Sequence, residues 1–303
     1  MTSVLVIAGP TASGKSRLAL DLAAARRGTV INADSMQVYR ELRILTARPD
    51  AAEMARAPHR LYGILSAAEA CSAARWRALA LAAIEEARAE GRLPILVGGT
   101  GLYLRALFDG LAEIPPIPRD LRAAARARHR DLGGQAFRAE LARRDPESAA
   151  RLAAGDTQRL VRAWEVVEAT GRPLPDWQRA GGAGMGAHAY RAVLLMPPRD
   201  MLYAACDARF GAMVAAGALD EVRALLALGL DPALPALKSL GVRELARHLV
   251  GEWTLEQAVE KARQATRNYA KRQTTWFRHQ FAPDLVLEGP DLAAATRLLT
   301  PDC

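Results

Sequence analysis

Residues 9 to 16 combine glycine, lysine and hydroxyl side chains at a spacing that binds phosphate. They follow the apolar run 4–8 and read Gly9-Pro10-Thr11-Ala12-Ser13-Gly14-Lys15-Ser16, a G-x-x-x-x-G-K-[ST] loop between a predicted strand and a predicted helix. The two glycines allow a tight turn whose N–H groups point at phosphate oxygens. The lysine adds a positive charge, and the Ser16 hydroxyl is a candidate ligand for Mg²⁺. The loop predicts a phosphate site and leaves open whether the phosphate belongs to a nucleotide.

Polar residues also follow two further predicted strands. Asp34 follows segment 28–33, and Thr100 follows segment 94–97 and two glycines. Ligands of an open parallel sheet lie at the carboxyl ends of its strands, so we expect both side chains to face the phosphate loop. Asp34 is a candidate general base or Mg²⁺-linked carboxylate, or else a turn cap; Thr100 is a candidate for binding Mg²⁺ or phosphate, or else a turn residue. The loop after the aspartate is expected to meet a second substrate through Ser35, Gln37 and Tyr39.

Strand and helix patterns alternate around these residues, which indicates an α/β fold with a P-loop NTPase-like parallel sheet flanked by helices. The predicted strands are 4–8, 28–33, 94–97, 192–196 and 284–287, and the predicted helices include 16–25, 73–90, 157–169, 199–216, 219–227 and 255–279. Segment 119–180 is helical, rich in arginine and without a strand pattern. We therefore predict a catalytic core of residues 1–113 plus 190–303 and an inserted all-helical domain at 114–189.

Composition narrows the setting in which the protein works. The chain has 303 residues and a net charge of +8, which favours a polyanionic partner. No apolar run approaches the ~20 residues that span a membrane, so no membrane association is expected. The three cysteines and five histidines have no metal-ligand spacing, and the odd cysteine number fits a reducing, cytoplasmic compartment. We expect a monomer.

Two helical segments carry clustered polar and basic residues: Gln158, Arg159 and Arg162 in one, and Arg263, Arg267 and Lys271 in the other. Such arginines most often form a solvated helix face. Within a basic insertion, contact with an RNA backbone is the alternative. The aromatic residues Trp276 and Phe277 are interpreted as packing residues rather than as a stacking platform for bases.

Three functions fit these residues. The first is a small-molecule kinase with ATP on the loop, and the second is a transferase whose donor places a pyrophosphate there and whose acceptor is a nucleic acid. The third, a regulatory nucleotide-binding module, is disfavoured because Asp34 and Thr100 converge on the loop. Segment 94–97 ends in Gly-Gly-Thr, where a nucleotide-hydrolysing P-loop protein has an aspartate for Mg²⁺. A kinase for a small metabolite also has no need of two basic segments.

Five motifs together resemble the bacterial tRNA dimethylallyltransferase family, also called tRNA isopentenyltransferases, in order and over nearly the whole chain. They are residues 9–16, Asn32 to Tyr39, Val97 to Tyr103, Gln158 to Arg162 and Tyr269 to Phe277. The resemblance implies transfer of a dimethylallyl group from dimethylallyl diphosphate to a tRNA. The acceptor would be the exocyclic N6 amine of the adenosine 3′-adjacent to the anticodon, in tRNAs that read codons beginning with U.

The resemblance also implies roles for individual residues. The loop 9–16 would bind the diphosphate, with Mg²⁺ on Ser16, and Asp34 would accept the proton of the amine. Thr11 would lie against the bridging oxygen, and Arg209 with Lys15 would neutralise the leaving group. The residues implied in binding the anticodon stem-loop are Asp34, Ser35, Met36, Gln37, Thr100, Arg122, Gln158, Arg159, Leu160, Val161 and Arg162. The chain departs from the family pattern at Arg60, Gly63 and Cys71, which is expected to alter details of the substrate channel and not the reaction.

Overall fold

The computed structural model describes residues 4–185 and 190–299, and a six-stranded sheet lies at its centre. The strands are β1 (Val4–Ala8), β2 (Gly28–Asn32), β3 (His59–Arg60), β4 (Leu93–Gly98), β5 (Tyr190–Leu195) and β6 (Leu285–Leu287). Their order is β3-β2-β4-β1-β5-β6, and the paired strands are parallel. The predicted parallel-sheet α/β fold is confirmed.

Helices flank this sheet and bury its apolar strands. They are α1 (Lys15–Ala25), α2 (Ala51–Arg56), α3 (Ala73–Ala89), α4 (Gly101–Phe108), α9 (Arg199–Ala215), α10 (Ala218–Ala227), α11 (Val242–Leu249), α12 (Leu255–Gln280) and α13 (Leu292–Arg297), and four further helices, α5 to α8, are given below. Every residue of β1 is buried, and Leu18 and Leu22 of α1 pack with Leu5 and Ile95 in the main core. Strands buried by helices on the sheet read as continuous apolar runs, which is why the sequence pattern located them.

Short elements and strand order are where the sequence pattern fell short. Six-residue α2 and two-residue β3 were not predicted, because neither is long enough to display a period. The sheet also places β4 between β1 and β2, so the strand that leads to Asp34 is not the neighbour of the strand that leads to the phosphate loop. Among the described residues, no helix has the length and apolar character needed to cross a bilayer.

The chain divides into two compact units, residues 1–106 with 186–303 and residues 107–185. The second unit contains α5 (Arg119–Leu141, broken at Gly133), α6 (Pro146–Arg151), α7 (Thr157–Thr170) and α8 (Leu174–Ala180), and its described residues form no strand. Phe137, Leu141, Leu160 and Trp164 lie in its own core. The predicted domain boundary at 189 falls on residues 186–189, outside the described residues, and the division at 114 and 189 stays a prediction.

Candidate active site

The phosphate loop runs from the end of β1 into α1 at the carboxyl edge of the sheet. Gly14 caps α1 with a φ of 86°, in the left-handed region that glycine adopts without strain. Lys15 Nζ donates a hydrogen bond to the Pro10 carbonyl oxygen at 3.1 Å. The Ser13 hydroxyl is buried with no hydrogen-bond partner among the described residues. A turn of this shape therefore brings an ammonium group and an unpaired hydroxyl into one short loop.

Arg209 reaches this loop from α9. Its Nη2 donates a hydrogen bond to the Thr11 hydroxyl oxygen, and Cys206, one turn earlier, places Sγ 3.9 Å from the Thr11 carbonyl oxygen. Burial lowers the pKa of the Arg209 guanidinium, but arginine remains protonated in proteins. A charged, half-buried side chain therefore contacts the hydroxyl that the resemblance implied would lie against the leaving group.

Lys15 is the second cation at this edge. Burial lowers its pKa to about 8; the Asp34 carboxylate opposes that shift, and the Arg209 charge adds to it. The charges of Asp34 and Arg209 are therefore close enough to Lys15 to shift its pKa. Of these three charged groups, Lys15 and Arg209 are positive. A diphosphate would complement both cations through charge-assisted hydrogen bonds.

Asn32 fixes the position of Asp34 after β2. Its side chain accepts a hydrogen bond from the Asp34 N–H at 2.8 Å and donates to the carbonyls of Asp34 and Leu61 at 3.0 and 3.1 Å. Trp76 Nε1 donates to the Asn32 carbonyl at 2.9 Å. The Asp34 carboxylate accepts the Met36 N–H through Oδ1 at 2.8 Å, while Oδ2 takes no part in these bonds. Oδ1 of Asp34 therefore caps the turn, which is one of the two roles that the sequence left open. Oδ2 is not needed for that role.

Thr100 lies beside Asp34 because β4 neighbours β2 in the sheet. Its Oγ1 accepts a hydrogen bond from the Ser35 N–H at 3.0 Å. The residue that follows the aspartate is therefore tied to the end of β4. Thr100 acts here as a turn-fixing partner, which is one of the alternatives that the sequence left open.

Gln37 and Tyr39 of the loop 35–39 make their contacts within the protein. Gln37 Nε2 donates to the carbonyls of Thr46 and Ala47 at 2.8 and 3.1 Å. Tyr39 is only 1% exposed, and its hydroxyl oxygen accepts the Cys71 N–H at 3.3 Å. The expectation that Tyr39 meets a substrate is wrong, because its ring belongs to the core. Cys71, where the chain departs from the family pattern, contacts the Tyr39 hydroxyl through its backbone N–H.

The departure at Gly63 has a packing cause. Gly63 has a φ of 60°, and a Cβ atom there would lie 1.9 Å from Nη1 of Arg48. That Nη1 donates to the Tyr39 carbonyl at 3.1 Å. Glycine at 63 therefore leaves the space that the Arg48 guanidinium fills. Arg60, the neighbouring departure, pairs with Glu90 at 3.1 Å near the surface.

A cavity of about 470 Å³ opens in front of the phosphate loop, and its lining includes Lys15, Ser16, Arg48, Asp50 and Arg209. No cluster of three or more histidine, cysteine or carboxylate side chains that could hold a metal occurs within the described ranges. Ser16 is an exposed residue, and its hydroxyl offers a single oxygen ligand. Mg²⁺ commonly keeps water ligands and binds through few protein oxygens together with substrate phosphates. The donor set fits a magnesium ion of that kind.

The tRNA contacts predicted in the helical unit fall into two sets. Leu160 and Val161 are buried in the core of that unit, so their side chains pack and do not face solvent. Arg159 is 75% exposed and makes a surface ion pair at 3.4 Å. The side chains that remain able to reach an RNA phosphate are Arg122, Gln158, Arg159 and Arg162.

One of the three basic residues predicted to line a face of α12, Arg267, is held by ion pairs within the protein. Arg267 pairs with Asp207 at 2.6 Å and with Glu260 at 2.9 Å, so its charge is largely compensated within the protein.

Trp276 packs on Gly101, where an added Cβ would lie 2.4 Å from the ring, and this agrees with the packing interpretation.

Two side chains of the site, Asn32 and Gln273, were not singled out from the sequence. Gln273 accepts the Thr11 N–H through Oε1 at 2.8 Å and donates to the Gly99 carbonyl through Nε2 at 2.8 Å. The available signal was a polar residue at a helical spacing from apolar ones, and residues 262, 266, 270, 273 and 277 are all buried on one face of α12. No sequence pattern identifies a partner 262 positions away.

Comparison with known proteins gives a consistent result. Residues 37–280 match the family model described as IPP transferase. A tRNA dimethylallyltransferase of Rhodospirillum centenum is 63% identical over 280 residues, covering 92% of this chain and 89% of the relative. Its counterpart from Nitrobacter hamburgensis is 57% identical over 292 residues, covering 96% and 92%.

Solved structures resemble the chain over most of its length. The tRNA isopentenylpyrophosphate transferase of Bacillus halodurans has a TM-score of 0.68 and 33% identity, covering 99% of this chain and 95% of that one. A eukaryotic dimethylallyltransferase acting on tRNA has a TM-score of 0.78 and 28% identity, covering 91% and 70%.

Proposed function

Because the chain belongs to the IPP transferase family, we propose that it transfers the dimethylallyl group of dimethylallyl diphosphate to tRNA. The acceptor is the N6 amine of the adenosine 3′-adjacent to the anticodon in tRNAs reading codons that begin with U. The products are N6-isopentenyladenosine and diphosphate. The observation that carries this proposal is the hydrogen bond from Arg209 to Thr11 of the phosphate loop, at the sheet edge where Asp34 also lies.

The phosphate loop and its cations act on the leaving group. Loop N–H groups, Lys15 and Arg209 bind the diphosphate oxygens, and the Thr11 hydroxyl lies against the bridging oxygen. As the allylic C–O bond breaks, its electron pair passes to that oxygen, and the fixed cations stabilise the growing negative charge. Mg²⁺ bound with Ser16 would supply additional charge neutralisation on the diphosphate.

Asp34 acts on the acceptor. The adenine must leave its stack in the anticodon loop before the amine can reach the site. The N6 lone pair forms the new C–N bond to the allylic carbon, and the amine proton passes to the Asp34 carboxylate. Asn32, Ser35 and Thr100 hold the aspartate in place, and closure of the site by the bound RNA keeps water from the allylic cation.

The helical unit supplies affinity for the RNA. Exposed arginines such as Arg159 attract phosphates and need no fixed geometry to do so. We expect the protein to act as a monomer in the cytoplasm, where Cys71 and Cys206, both free in this structure, stay reduced.

A transfer assay separates this proposal from a small-molecule kinase that uses ATP. Labelled dimethylallyl diphosphate and an unmodified anticodon stem-loop are incubated with the protein and Mg²⁺, alongside a parallel reaction containing ATP and candidate metabolites. We expect label in the RNA at the adenosine next to the anticodon. An unlabelled RNA together with ATP-dependent phosphorylation of a metabolite would overturn the proposal.

A further inference from the structure

Gln273 is one side chain that contacts two separate loops of the catalytic edge. The residue is 6% exposed. Its side-chain oxygen accepts the Thr11 N–H at 2.8 Å, and its side-chain nitrogen donates to the Gly99 carbonyl at 2.8 Å. A carboxylate offers only acceptors and a lysine only donors, whereas an amide offers one of each. The residue type therefore matches both partners.

These contacts join the leaving-group loop to the loop of the base. On one side, the backbone of Thr11 is held toward α12 while its hydroxyl oxygen accepts from Arg209. On the other side, Nε2 of Gln273 lies so close to Gly99 that a Cβ atom added to this glycine would be 2.4 Å from it. The next residue, Thr100, accepts the N–H of Ser35, which follows Asp34.

We propose that Gln273 is a positioning residue that sets the separation between Thr11 and Asp34 during dimethylallyl transfer. The inference rests on the proposed function and adds to it a residue that acts through Thr11 and Gly99. In this reaction the allylic carbon must lie between the leaving oxygen and the attacking amine. A misplacement of about 1 Å costs about a hundredfold in rate, so a side chain that fixes this separation controls turnover more than binding.

Two substitutions test the proposal in the full-length protein. Gln273→Leu removes both hydrogen bonds at similar volume, and we expect kcat to fall about a hundredfold with tRNA affinity unchanged. Gln273→Glu keeps the shape. When protonated, the new carboxyl donates to the Gly99 carbonyl and accepts the Thr11 N–H; when ionised, it has no donor and repels that carbonyl. Its kcat relative to the unsubstituted protein is therefore expected to rise as pH falls.

Thr266→Val is the matched control on the same helix. Thr266 is 5% exposed and donates to the Ala262 carbonyl at 2.8 Å, so its replacement removes a buried hydrogen bond that involves neither loop. We expect an unchanged kcat for this variant. Hydrogen exchange of the Thr11 amide adds a readout independent of activity, and it should accelerate in Gln273→Leu but not in Thr266→Val.

The inference is overturned if kcat of Gln273→Leu equals that of the unsubstituted protein, or if it falls no further than kcat of Thr266→Val. It is also overturned if kcat of Gln273→Glu, relative to the unsubstituted protein, does not change with pH. Each of these results leaves transfer by the unsubstituted protein intact. Absence of transfer by the unsubstituted protein overturns the proposed function itself, and this inference with it, so the two failures are distinguishable.

Discussion

The carboxyl edge of the sheet and the helical unit use arginine in opposite ways. At the edge, Arg209 is half-buried and donates to one hydroxyl group. In the helical unit, Arg159 is 75% exposed, and its contact is a surface ion pair. A desolvated, fixed cation acts strongly on a charge that develops at one atom, whereas exposed cations attract a polyanion and are screened by salt. From this difference we expect the edge to control the rate of transfer and the helical unit to control the affinity for RNA.

The largest effect should come from removing the base. Asp34→Asn keeps an oxygen for the Met36 N–H, which Oδ1 accepts at 2.8 Å, but it cannot take up a proton. We expect the single-turnover rate to fall by about 10²–10⁴ and tRNA affinity to stay the same. Equal losses of rate and affinity would assign the residue a purely structural role.

Arg209→Met tests the half-buried cation at the sheet edge. The variant loses the hydrogen bond to Thr11 and the charge that we propose stabilises the leaving diphosphate, so kcat should fall by about 10²–10³. Arg199→Ala is the control, because Arg199 lies exposed on the same helix and stacks on Tyr203, 5.1 Å from the ring centroid. Similar kinetics for the two variants would remove Arg209 from the leaving-group machinery.

Lys15 should make substrate capture sensitive to alkaline pH. Its pKa is lowered to about 8, so the free protein loses this charge as pH rises through that value, and kcat/KM for dimethylallyl diphosphate should decline. Lys15→Arg keeps its charge over this range, and its profile should be flat there whatever its absolute height. Matching declines in both proteins would show that another group titrates.

The smallest effect is expected in the helical unit. Arg159→Ala should weaken tRNA binding by less than about tenfold and reduce the slope of log affinity against log salt by about 1, with kcat at saturating tRNA unchanged. Arg179→Ala serves as the control, since Arg179 is held by Glu147 and Asp176. An unchanged salt slope in Arg159→Ala would make Arg159 an ordinary solvated residue.

The same two regions differ in how far the sequence predicts them. Strands such as β1 and helices such as α12 were predictable, because their periods persist over many residues, and the Thr254–Gln257 capping box marked the start of α12 as the structure has it. The phosphate loop and Asp34 were predictable because their chemistry is local. The roles of the individual residues remain predictions.

Long-range contacts were the part that sequence could not supply. Nothing in a linear pattern places β4 between β1 and β2, pairs Gly63 with Arg48, or brings Gln273 to Thr11. These arrangements depend on side chains from distant segments sharing one small volume. In the helical unit, the resemblance implied RNA contact for the whole segment 158–162, whereas packing of α7 buries the side chains of Leu160 and Val161 within it.

A double-mutant cycle between Asp34→Asn and Arg159→Ala tests the division between rate and affinity most directly. The measured quantities are the single-turnover rate at saturating tRNA and the tRNA dissociation constant, for both single variants and the double variant. The account predicts that the rate follows Asp34 alone, that the affinity follows Arg159 alone, and that the two effects multiply without coupling. A loss of rate caused by Arg159→Ala at saturation, or a coupling between the two sites, would contradict it.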